Sequence, residues 1–398
     1  MKDALVVSPV RTPIGKFGGG LKPLTADQLM VAVVAEILRR SAVPAELIGD
    51  VIVSQSYASS EAPCLGRYGA LAAGLPIEVP GYTLDRRCGS GLQAIVNAAM
   101  MVQTGQAEAV LVVGVESMSN IEFYTTDMRW GNRLGSVTLH DRLDRGRVRS
   151  QPEARFGVIS GMPETADTLA REYEIDRATA DAFAARSHAR ADAAWREGRF
   201  AEEVMPVTVP GRKGETTLVT RDEGIRAETT PEGLAKLRTL RPGGVTTAGN
   251  SSQQNDAAAG CLVVSPDFAA RHGLDAMARL VGWAVAGVDP ARMGIGPVPA
   301  TRKVLDRLGL GLDAIDLIEL NEAFATQALA ALKGLGVDDL DRVNVNGSGI
   351  SLGHPIGATG VRILTTLLHE MRRREVRYGL ETMCIGGGMG MAAVFERL

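Results

Sequence analysis

The pattern of apolar and polar residues divides the chain into short apolar runs that alternate with amphipathic stretches. The runs predict buried strands at residues 4–7, 51–53, 109–115, 261–264, 278–285, 316–320 and 344–346, and a closing hairpin at 378–385 and 391–395. The amphipathic stretches predict helices at residues 26–40, 68–73, 94–102, 300–308, 324–333 and 359–374. Strands that alternate with helices predict an α/β protein with a parallel sheet and helical crossovers.

Residues 121–245 depart from this pattern. Charged residues are dense here and apolar runs are short and broken, although helices are predicted at 165–174 and 177–197. We interpret this region as an insertion or subdomain that is mostly solvated and lies over another part of the protein.

Composition narrows the class of protein. The chain has 398 residues, 45% of them hydrophobic and 22% charged, which is enough for two or three domains with a large core. The net charge of -3 gives no sign of nucleic acid or anionic membrane as a partner. Four cysteines do not make a disulfide framework, no apolar run reaches about 18 residues, and the N-terminus lacks an apolar signal segment. A cytoplasmic protein is therefore expected.

The first candidate for chemistry is Cys88, in the sequence Cys88-Gly89-Ser90-Gly91 at the start of a predicted helix. Unpaired N–H groups and the helix dipole favour a thiolate at such a position, so its pKa is expected below the usual value of about 8.5. The alternative is a buried structural cysteine that behaves as a small hydrophobe. This segment alone does not decide between them.

Two further loops carry polar groups that suit catalysis. Asn321 follows a predicted strand, where open α/β sheets place ligands, although an asparagine there also suits a cap or turn. His354, one of five histidines, is framed by Gly353, Pro355 and Gly357, which expose its ring. It can accept a thiol proton or donate to an oxyanion, or it can be a structural turn residue.

The fourth loop, Cys384-Ile385-Gly386-Gly387-Gly388, places a second cysteine before three glycines. The glycines leave backbone N–H groups open to an oxyanion. Cys384 taken alone is equally well explained as a buried thiol. No two cysteines have the spacing of a zinc site.

Taken together, these loops resemble the active-site loops of thiolases, in order and along essentially the whole chain. The matching stretches are Cys88–Gly91, Asn321–Ala325, Asn346–Gly360 and Cys384–Gly390, with a further thiolase-like segment at Gly249–Asp256. The resemblance implies an acyl-CoA acyltransferase with a five-layer αβαβα core of two similar halves. It implies an N-terminal half at 1–120 and 246–272, an inserted CoA-binding loop domain at 121–245, and a C-terminal half at 273–398.

The resemblance also assigns roles. Cys88 is the expected nucleophile of a ping-pong cycle, and His354 its base; a water held by Asn321 would help His354 to polarise the thioester. Cys384 would move protons at the α-carbon and the leaving thiolate, and the N–H groups of Cys88 and Gly386 would form an oxyanion hole. The residues expected to contact CoA are Met162, Arg226, Ala248, Ser252 and Phe324. The family uses no metal or redox cofactor, because CoA thioesters are its substrates. It forms dimers or tetramers, with tetramer contacts in some members at positions matching 124–143.

The chain departs from the short-chain biosynthetic pattern in its loop domain. The usual His-Met-Gly reads Gly161-Met162-Pro163, so an imidazole that contacts the CoA arm is missing. Acetyl-CoA C-acetyltransferase, in fatty acid metabolism, is the expected activity; the alternative is a degradative 3-ketoacyl-CoA thiolase for longer, branched or cyclic acyl groups. Two other hypotheses are a 3-oxoacyl carrier-protein synthase, which Cys384 disfavours, and a non-catalytic CoA- or lipid-binding homologue.

Overall fold

The computed structural model describes residues 3–398 as an α/β protein built on a ten-stranded mixed sheet. The strands are β1 Leu5–Arg11, β2 Gly15–Lys16, β3 Asp50–Ser54, β4 Gly81–Leu84, β5 Ala109–Ser117, β6 Phe123–Tyr124, β7 His140–Asp141, β8 Val207–Pro210, β9 Thr216–Val219, β10 Asn255–Val264, β11 Ala276–Gly287, β12 Leu317–Leu320, β13 Tyr378–Ile385 and β14 Met389–Arg397. The α-helices are α1 Ala26–Ser41, α2 Leu65–Ala72, α3 Ser90–Thr104, α4 Arg142–Val148, α5 Glu153–Phe156, α6 Met162–Glu172, α7 Arg177–Arg196, α8 Pro231–Ala235, α9 Pro266–His272, α10 Pro297–Leu308, α11 Ala325–Leu335 and α12 Thr359–Arg374. Residues 1 and 2, which open the predicted N-terminal half, lie outside the described residues. Within residues 3–398, no helix is both long enough and apolar enough to cross a membrane.

The main sheet has the strand order β12-β13-β14-β11-β1-β10-β5-β3-β4, and β2 pairs with β10. Parallel pairing is confined to its two ends, where β12 pairs with β13 and β3 pairs with β4 and β5. The central pairs are antiparallel, so the prediction of a parallel sheet is wrong there. All four of these pairs join segments more than 100 residues apart in the chain, and no local pattern encodes their relative direction.

Helices α3 and α12 lie between the two halves of the sheet and are buried on nearly every side. Leu92 of α3 and Val361 of α12 share one apolar cluster with Val112 of β5 and Phe395 of β14, which belong to opposite halves. A helix that is buried all round has a covering layer on each face. These two helices are therefore the middle layer of the core.

The outer faces of the sheet are covered by separate pairs of helices. On one side Val33 of α1 packs in a cluster with Leu111 of β5, and α2 joins the same cluster. On the other side Val304 of α10 packs with Val394 of β14, together with α11. The order of layers is thus α, β, α, β, α, as the resemblance to thiolases implied.

Two glycines let the middle helices touch through their backbones. A Cβ on Gly91 would lie 2.6 Å from the backbone nitrogen of Val361, and a Cβ on Gly360 would overlap the backbone nitrogen of Leu92. Each glycine lies close to the start of its helix. The loops that precede α3 and α12 are therefore brought together, and these loops hold Cys88 and His354.

The charged region 121–245 contains two small hairpins, β6–β7 and β8–β9, and helices α4 to α8. It is attached to the core through Arg11 of β1, which is fully buried and pairs with Glu203 at 2.6 Å and Asp222 at 2.7 Å. Helix α6 begins at Met162, three residues before the predicted start, because Pro163 is tolerated in a first helical turn.

The predicted strand at residues 344–346 does not form. Asn344 adopts a positive φ of 48°, which interrupts an extended run. Its side-chain amide instead pairs with the backbone of Leu320, accepting from the N–H and donating to the carbonyl, each at 2.8 Å. A side chain thus supplies at the end of β12 the hydrogen bonds that a neighbouring strand would have supplied.

Candidate active site

Cys88 lies in a tight turn, Arg87–Gly89, that leads directly into α3. The side chain of Ser90 holds this turn, because its hydroxyl accepts from the N–H of Arg86 and donates to the carbonyl of Arg87, each at 2.7 Å. Sγ of Cys88 lies 3.3 Å from Nε2 of His354. The nucleophile and base proposed from the sequence are therefore in hydrogen-bond contact, although 266 residues separate them.

The loop around His354 is held on both sides. Its N–H donates to Oδ1 of Asn255 at 2.9 Å, and Gly353 before it has a φ of 125°, which side chains rarely allow. Nδ1 of the ring lies 2.6 Å from the hydroxyl of Thr359, which donates to the carbonyl of Pro355 at 2.9 Å. The hydroxyl has only one hydrogen, so it must accept from an Nδ1–H. The proton then sits on Nδ1, and Nε2 presents its lone pair to Cys88.

Asn321 lies behind the histidine. Its Nδ2 is 3.4 Å from Nδ1 and 3.5 Å from Nε2 of His354, at the long end of the hydrogen-bond range. Its buried Oδ1 has no hydrogen-bond donor among the described residues. A buried amide oxygen without a donor is costly, so this atom is suited to accept a hydrogen bond from solvent or substrate.

Burial dominates the electrostatics of the Cys88–His354 pair. It lowers the pKa of His354 to about 3, with further lowering by the positive charges of Arg362 and Arg147. It also raises the pKa of Cys88, although the N–H groups of Gly386 and Cys88 and the charge of Arg87 oppose this. The expectation that the helix N-terminus lowers the pKa of Cys88 is therefore wrong, because desolvation of the thiolate outweighs those groups. At neutral pH the pair rests as a thiol and a neutral imidazole.

Cys384 lies at the buried end of β13, just before the turn into β14. Burial raises its pKa well above the usual range, and the charge of a Cys88 thiolate would raise it further. Gly387 and Gly388 in the turn have φ of 90° and 87°, which favour glycine. This turn places the N–H of Gly386 against the sulfur of Cys88.

A cavity of about 420 Å³ joins these groups. Nine of the ten residues singled out from the sequence line it, namely Cys88, Met162, Arg226, Ala248, Ser252, Phe324, His354, Cys384 and Gly386. Asn321 reaches the site from behind through His354. The structure therefore brings all ten predicted residues to one place, whatever role each has.

The wall expected to hold CoA is tied together by backbone contacts. The N–H of Ser252 donates to the carbonyl of Ala323 at 2.9 Å, and the neighbouring Ser251 and Phe324 form a β-bridge. The N–H of Arg226 donates to Nδ1 of His188 at 3.2 Å. Burial, aided by the charge of Arg226, lowers the pKa of His188 to about 4, so this ring is neutral and free to accept.

Sequence analysis missed several residues of the site. Thr359 stands inside a quoted motif, but its contact with His354 depends on how the loop folds back. Arg87 is adjacent to Cys88 and could have been considered from that position. Arg147, which also lines the cavity, lies in the charged region, where a pattern of polar residues looks like an ordinary solvated surface.

Comparison with known proteins identifies the chain's two parts. The family described as "Thiolase, N-terminal domain" matches residues 4–267, and "Thiolase, C-terminal domain" matches residues 274–397. The chain is 45% identical to the beta-ketothiolase BktB of Cupriavidus necator, 44% to an acetyl-CoA acetyltransferase of Pseudomonas aeruginosa and 44% to a beta-ketoadipyl-CoA thiolase of Pseudomonas putida. Each of these alignments covers 100% of both proteins.

Solved structures agree with this result. The acetyl-CoA acetyltransferase of Bacillus anthracis superposes with a TM-score of 0.96 at 42% identity, covering 100% of this chain and 99% of that one. Human mitochondrial 3-ketoacyl-CoA thiolase in complex with CoA superposes with a TM-score of 0.93 at 39% identity, covering 100% of this chain and 98% of that one.

Proposed function

Because the chain belongs to the thiolase family and is therefore an acyltransferase, we propose that it makes or cleaves a 3-oxoacyl-CoA through an acyl-Cys88 thioester. The observation that carries this proposal is the 3.3 Å contact between Sγ of Cys88 and the unprotonated Nε2 of His354. A thiol beside a correctly oriented base is the arrangement that nucleophilic acyl transfer requires.

In the cleavage direction, the reaction starts with the neutral pair. As Sγ of Cys88 attacks the 3-oxo carbonyl, its proton passes to Nε2 of His354. A thiol with a raised pKa and an imidazole with a pKa of about 3 hold that proton on sulfur until the new bond forms. The N–H groups of Cys88 and Gly386 donate hydrogen bonds to the carbonyl oxygen and stabilise the negative charge that develops on it.

Collapse of this adduct breaks the bond between C2 and C3 of the substrate. The acyl group stays on Cys88, and the departing acetyl-CoA carbanion takes a proton at its α-carbon from Cys384. His354, with solvent held at Asn321, polarises the thioester oxygen that carries the enolate charge. CoA then enters as a thiol, gives its proton to Cys384 and removes the acyl group from Cys88, which regains its proton from His354. This is a ping-pong cycle, and in reverse it condenses two acyl-CoA molecules.

We assign the CoA arm to the wall formed by Met162, Arg226, Ala248, Ser252 and Phe324, each of which lines the cavity. Acetyl-CoA C-acetyltransferase is the first candidate activity, since relatives and structural neighbours carry that name. A degradative thiolase for larger acyl groups is the second candidate, since other relatives are named beta-ketothiolase and beta-ketoadipyl-CoA thiolase. Neither activity needs a metal or redox cofactor.

Assembly, domain division and location complete the proposal. The two family matches meet between residues 267 and 274, which supports the division into two core halves. The insertion at 121–245 is supported by its two small hairpins, which are separate from the main sheet. Trp130 and Leu134 in that insertion are 95% and 91% exposed, which suits contacts in a homodimer or homotetramer. We place the enzyme in the cytoplasm, in fatty acid metabolism.

The test is CoA-dependent cleavage of acetoacetyl-CoA and of longer 3-oxoacyl-CoA thioesters. Cleavage is monitored through the loss of their ultraviolet absorbance. We expect turnover by the wild type and none by Cys88→Ala. When the wild type is mixed with a 3-oxoacyl-CoA without added CoA and then quenched, mass spectrometry should show an acyl group on Cys88. If both proteins bound CoA equally and neither turned over any thioester, the chain would be a non-catalytic homologue.

A further inference from the structure

The charged side chains that line the cavity are all positive. Three arginines, Arg87, Arg147 and Arg226, line it, and none of the lining residues is an aspartate or glutamate. The rest of the lining is largely apolar, with side chains such as Met118 and Ile356. A cationic group beside apolar surface calls for an anionic partner, because an unpaired charge there is costly.

Arg87 is held near the nucleophile without being neutralised. It precedes Cys88 directly, and its guanidinium lies 5.7 Å from the centre of the Tyr57 ring. Nη2 donates to the carbonyl of Gly146 at 3.4 Å, and no carboxylate among residues 3–398 forms an ion pair with it. The ring and the carbonyl orient the guanidinium and leave its other N–H groups available.

Arg147 follows Gly146 on α4 and has no ion pair or side-chain hydrogen bond with any described residue. Several other arginines of the loop domain do have carboxylate partners, as in Arg142 with Glu122 at 3.0 Å and Arg190 with Asp341 at 2.9 Å. Arg147 is nevertheless close enough to the reacting groups that its charge contributes to lowering the pKa of His354. It is a half-buried cation that faces the site and has no partner within the described chain.

The position of Arg87 and Arg147 indicates whether their anionic partner belongs to CoA or to the acyl group. The phosphates of CoA are joined to the thioester by the long pantetheine arm, so they cannot lie beside the reacting carbonyl. Arg87 and Arg147 lie beside Tyr57 and Gly146, next to Cys88 and His354. Arg226 belongs instead to the wall assigned to the CoA arm. An anion at the Arg87–Arg147 pair must therefore belong to the acyl group, which extends from the reacting carbonyl.

We propose that Arg147, assisted by Arg87, binds a carboxylate at the far end of the acyl chain, and that the preferred substrates are 3-oxoacyl-CoA thioesters of dicarboxylic acids. This inference rests on the proposed acyl transfer through Cys88 and specifies its substrate class. It favours the second candidate activity, for larger acyl groups, over the first. Guanidinium groups bind carboxylates through paired, charge-assisted hydrogen bonds, which neutral acyl chains cannot form. A site built to bind a polar group rejects the analogue that lacks it, because its own polar atoms are then left unpaired.

The experiment compares two thioesters with the same number of carbons in the acyl chain, 3-oxoadipyl-CoA and 3-oxohexanoyl-CoA. The measured quantity is the ratio of their kcat/KM values for CoA-dependent cleavage. For the wild type we expect a ratio of about ten or more in favour of the dicarboxylic substrate. Arg147→Leu should lower the ratio at least about tenfold, chiefly through loss of cleavage of 3-oxoadipyl-CoA. Arg147→Lys, which keeps the charge and loses the paired hydrogen bonds, should fall between them.

Arg149→Leu is the matched control, because Arg149 is exposed, lies two residues further along and does not line this cavity. It should leave the ratio unchanged. A wild-type preference for the neutral substrate, or an Arg147→Leu variant with an unchanged ratio, would overturn the inference. An Arg147→Leu variant that raised the KM for CoA and kept its discrimination would assign Arg147 to CoA and overturn it too. Failure to cleave acetoacetyl-CoA or either test thioester would overturn the proposed function itself.

Discussion

Replacing Thr359 should impair catalysis by changing where the proton of His354 sits. In Thr359→Val, Nδ1 loses the hydroxyl that accepts its proton at 2.6 Å, while the shape of the side chain is kept. The ring must then either keep a buried donor without an acceptor or move the proton to Nε2, which faces Cys88. In the second case Nε2 cannot accept the thiol proton.

The magnitude is the free-energy difference between these two tautomers. The tautomer that can accept the thiol proton leaves a buried N–H without a partner, which costs about 1–3 kcal/mol. When the ring rests in the other tautomer, this cost adds to the barrier of each acylation and lowers the rate about 5- to 150-fold. Thr359→Ser keeps the hydroxyl and should stay within about threefold of the wild type. The assay is single-turnover acylation of Cys88 by acetyl-CoA or a 3-oxoacyl-CoA, with the His354 ring followed by nitrogen NMR.

Thr365→Val provides the matched control. Thr365 lies on the same helix, is equally buried and likewise donates to the carbonyl four residues earlier, at 2.8 Å, but it does not contact His354. Both valine variants should lose some stability, and only Thr359→Val should slow acylation and change the NMR signals of the ring. Acylation at the wild-type rate in Thr359→Val, or equal slowing in both variants, would refute the assignment of the tautomer to Thr359.

Three further predictions concern the pair and the core. His354→Asn should slow alkylation of Cys88 by iodoacetamide at least about tenfold, because the thiol loses its base. Peptide mass spectrometry measures the labelling, and the exposed Cys64 is the internal control. Equal slowing at both cysteines would contradict this prediction. His354 should stay neutral by NMR at pH 5, because burial depresses its pKa in the folded protein to about 3. The stability that the neutral ring contributes is present above its unfolded pKa of about 6.5 and is lost as the pH falls towards 3. An NMR titration midpoint near pH 6.5 would be inconsistent with burial of the ring. In urea titrations, Gly360→Ala should lower the free energy of unfolding by about 3 kcal/mol or more, because the added Cβ would overlap the backbone of α3. Gly287→Ala is the control, since no atom lies within 4 Å of its Cβ, and it should change the free energy of unfolding by about 0.5 kcal/mol or less.

Prediction of secondary structure from the sequence was most accurate where the apolar pattern was strong. The helix predicted at 359–374 matches α12 Thr359–Arg374, and the predicted strand at 378–385 matches β13 Tyr378–Ile385. It was wrong at 344–346, where the side chain of Asn344 replaces a strand partner. It was also wrong for the direction of the central strands, since neighbours in the sheet such as β1 and β10 are far apart in the chain. Local patterns report burial and periodicity, and they do not report which distant segment will pair.

The sequence by itself determined the residue types of the candidate site and the loops that carry them. Glycine and proline mark those loops because they restrict or free the backbone locally, whatever the rest of the chain does. Only the tertiary structure decided that α3 and α12 meet at Gly91 and Gly360, which puts Cys88 within 3.3 Å of His354. It also decided the protonation states, because desolvation depends on what surrounds a group from every side. Burial thus raised the pKa of Cys88, although the position of this cysteine in the sequence predicted that it would fall.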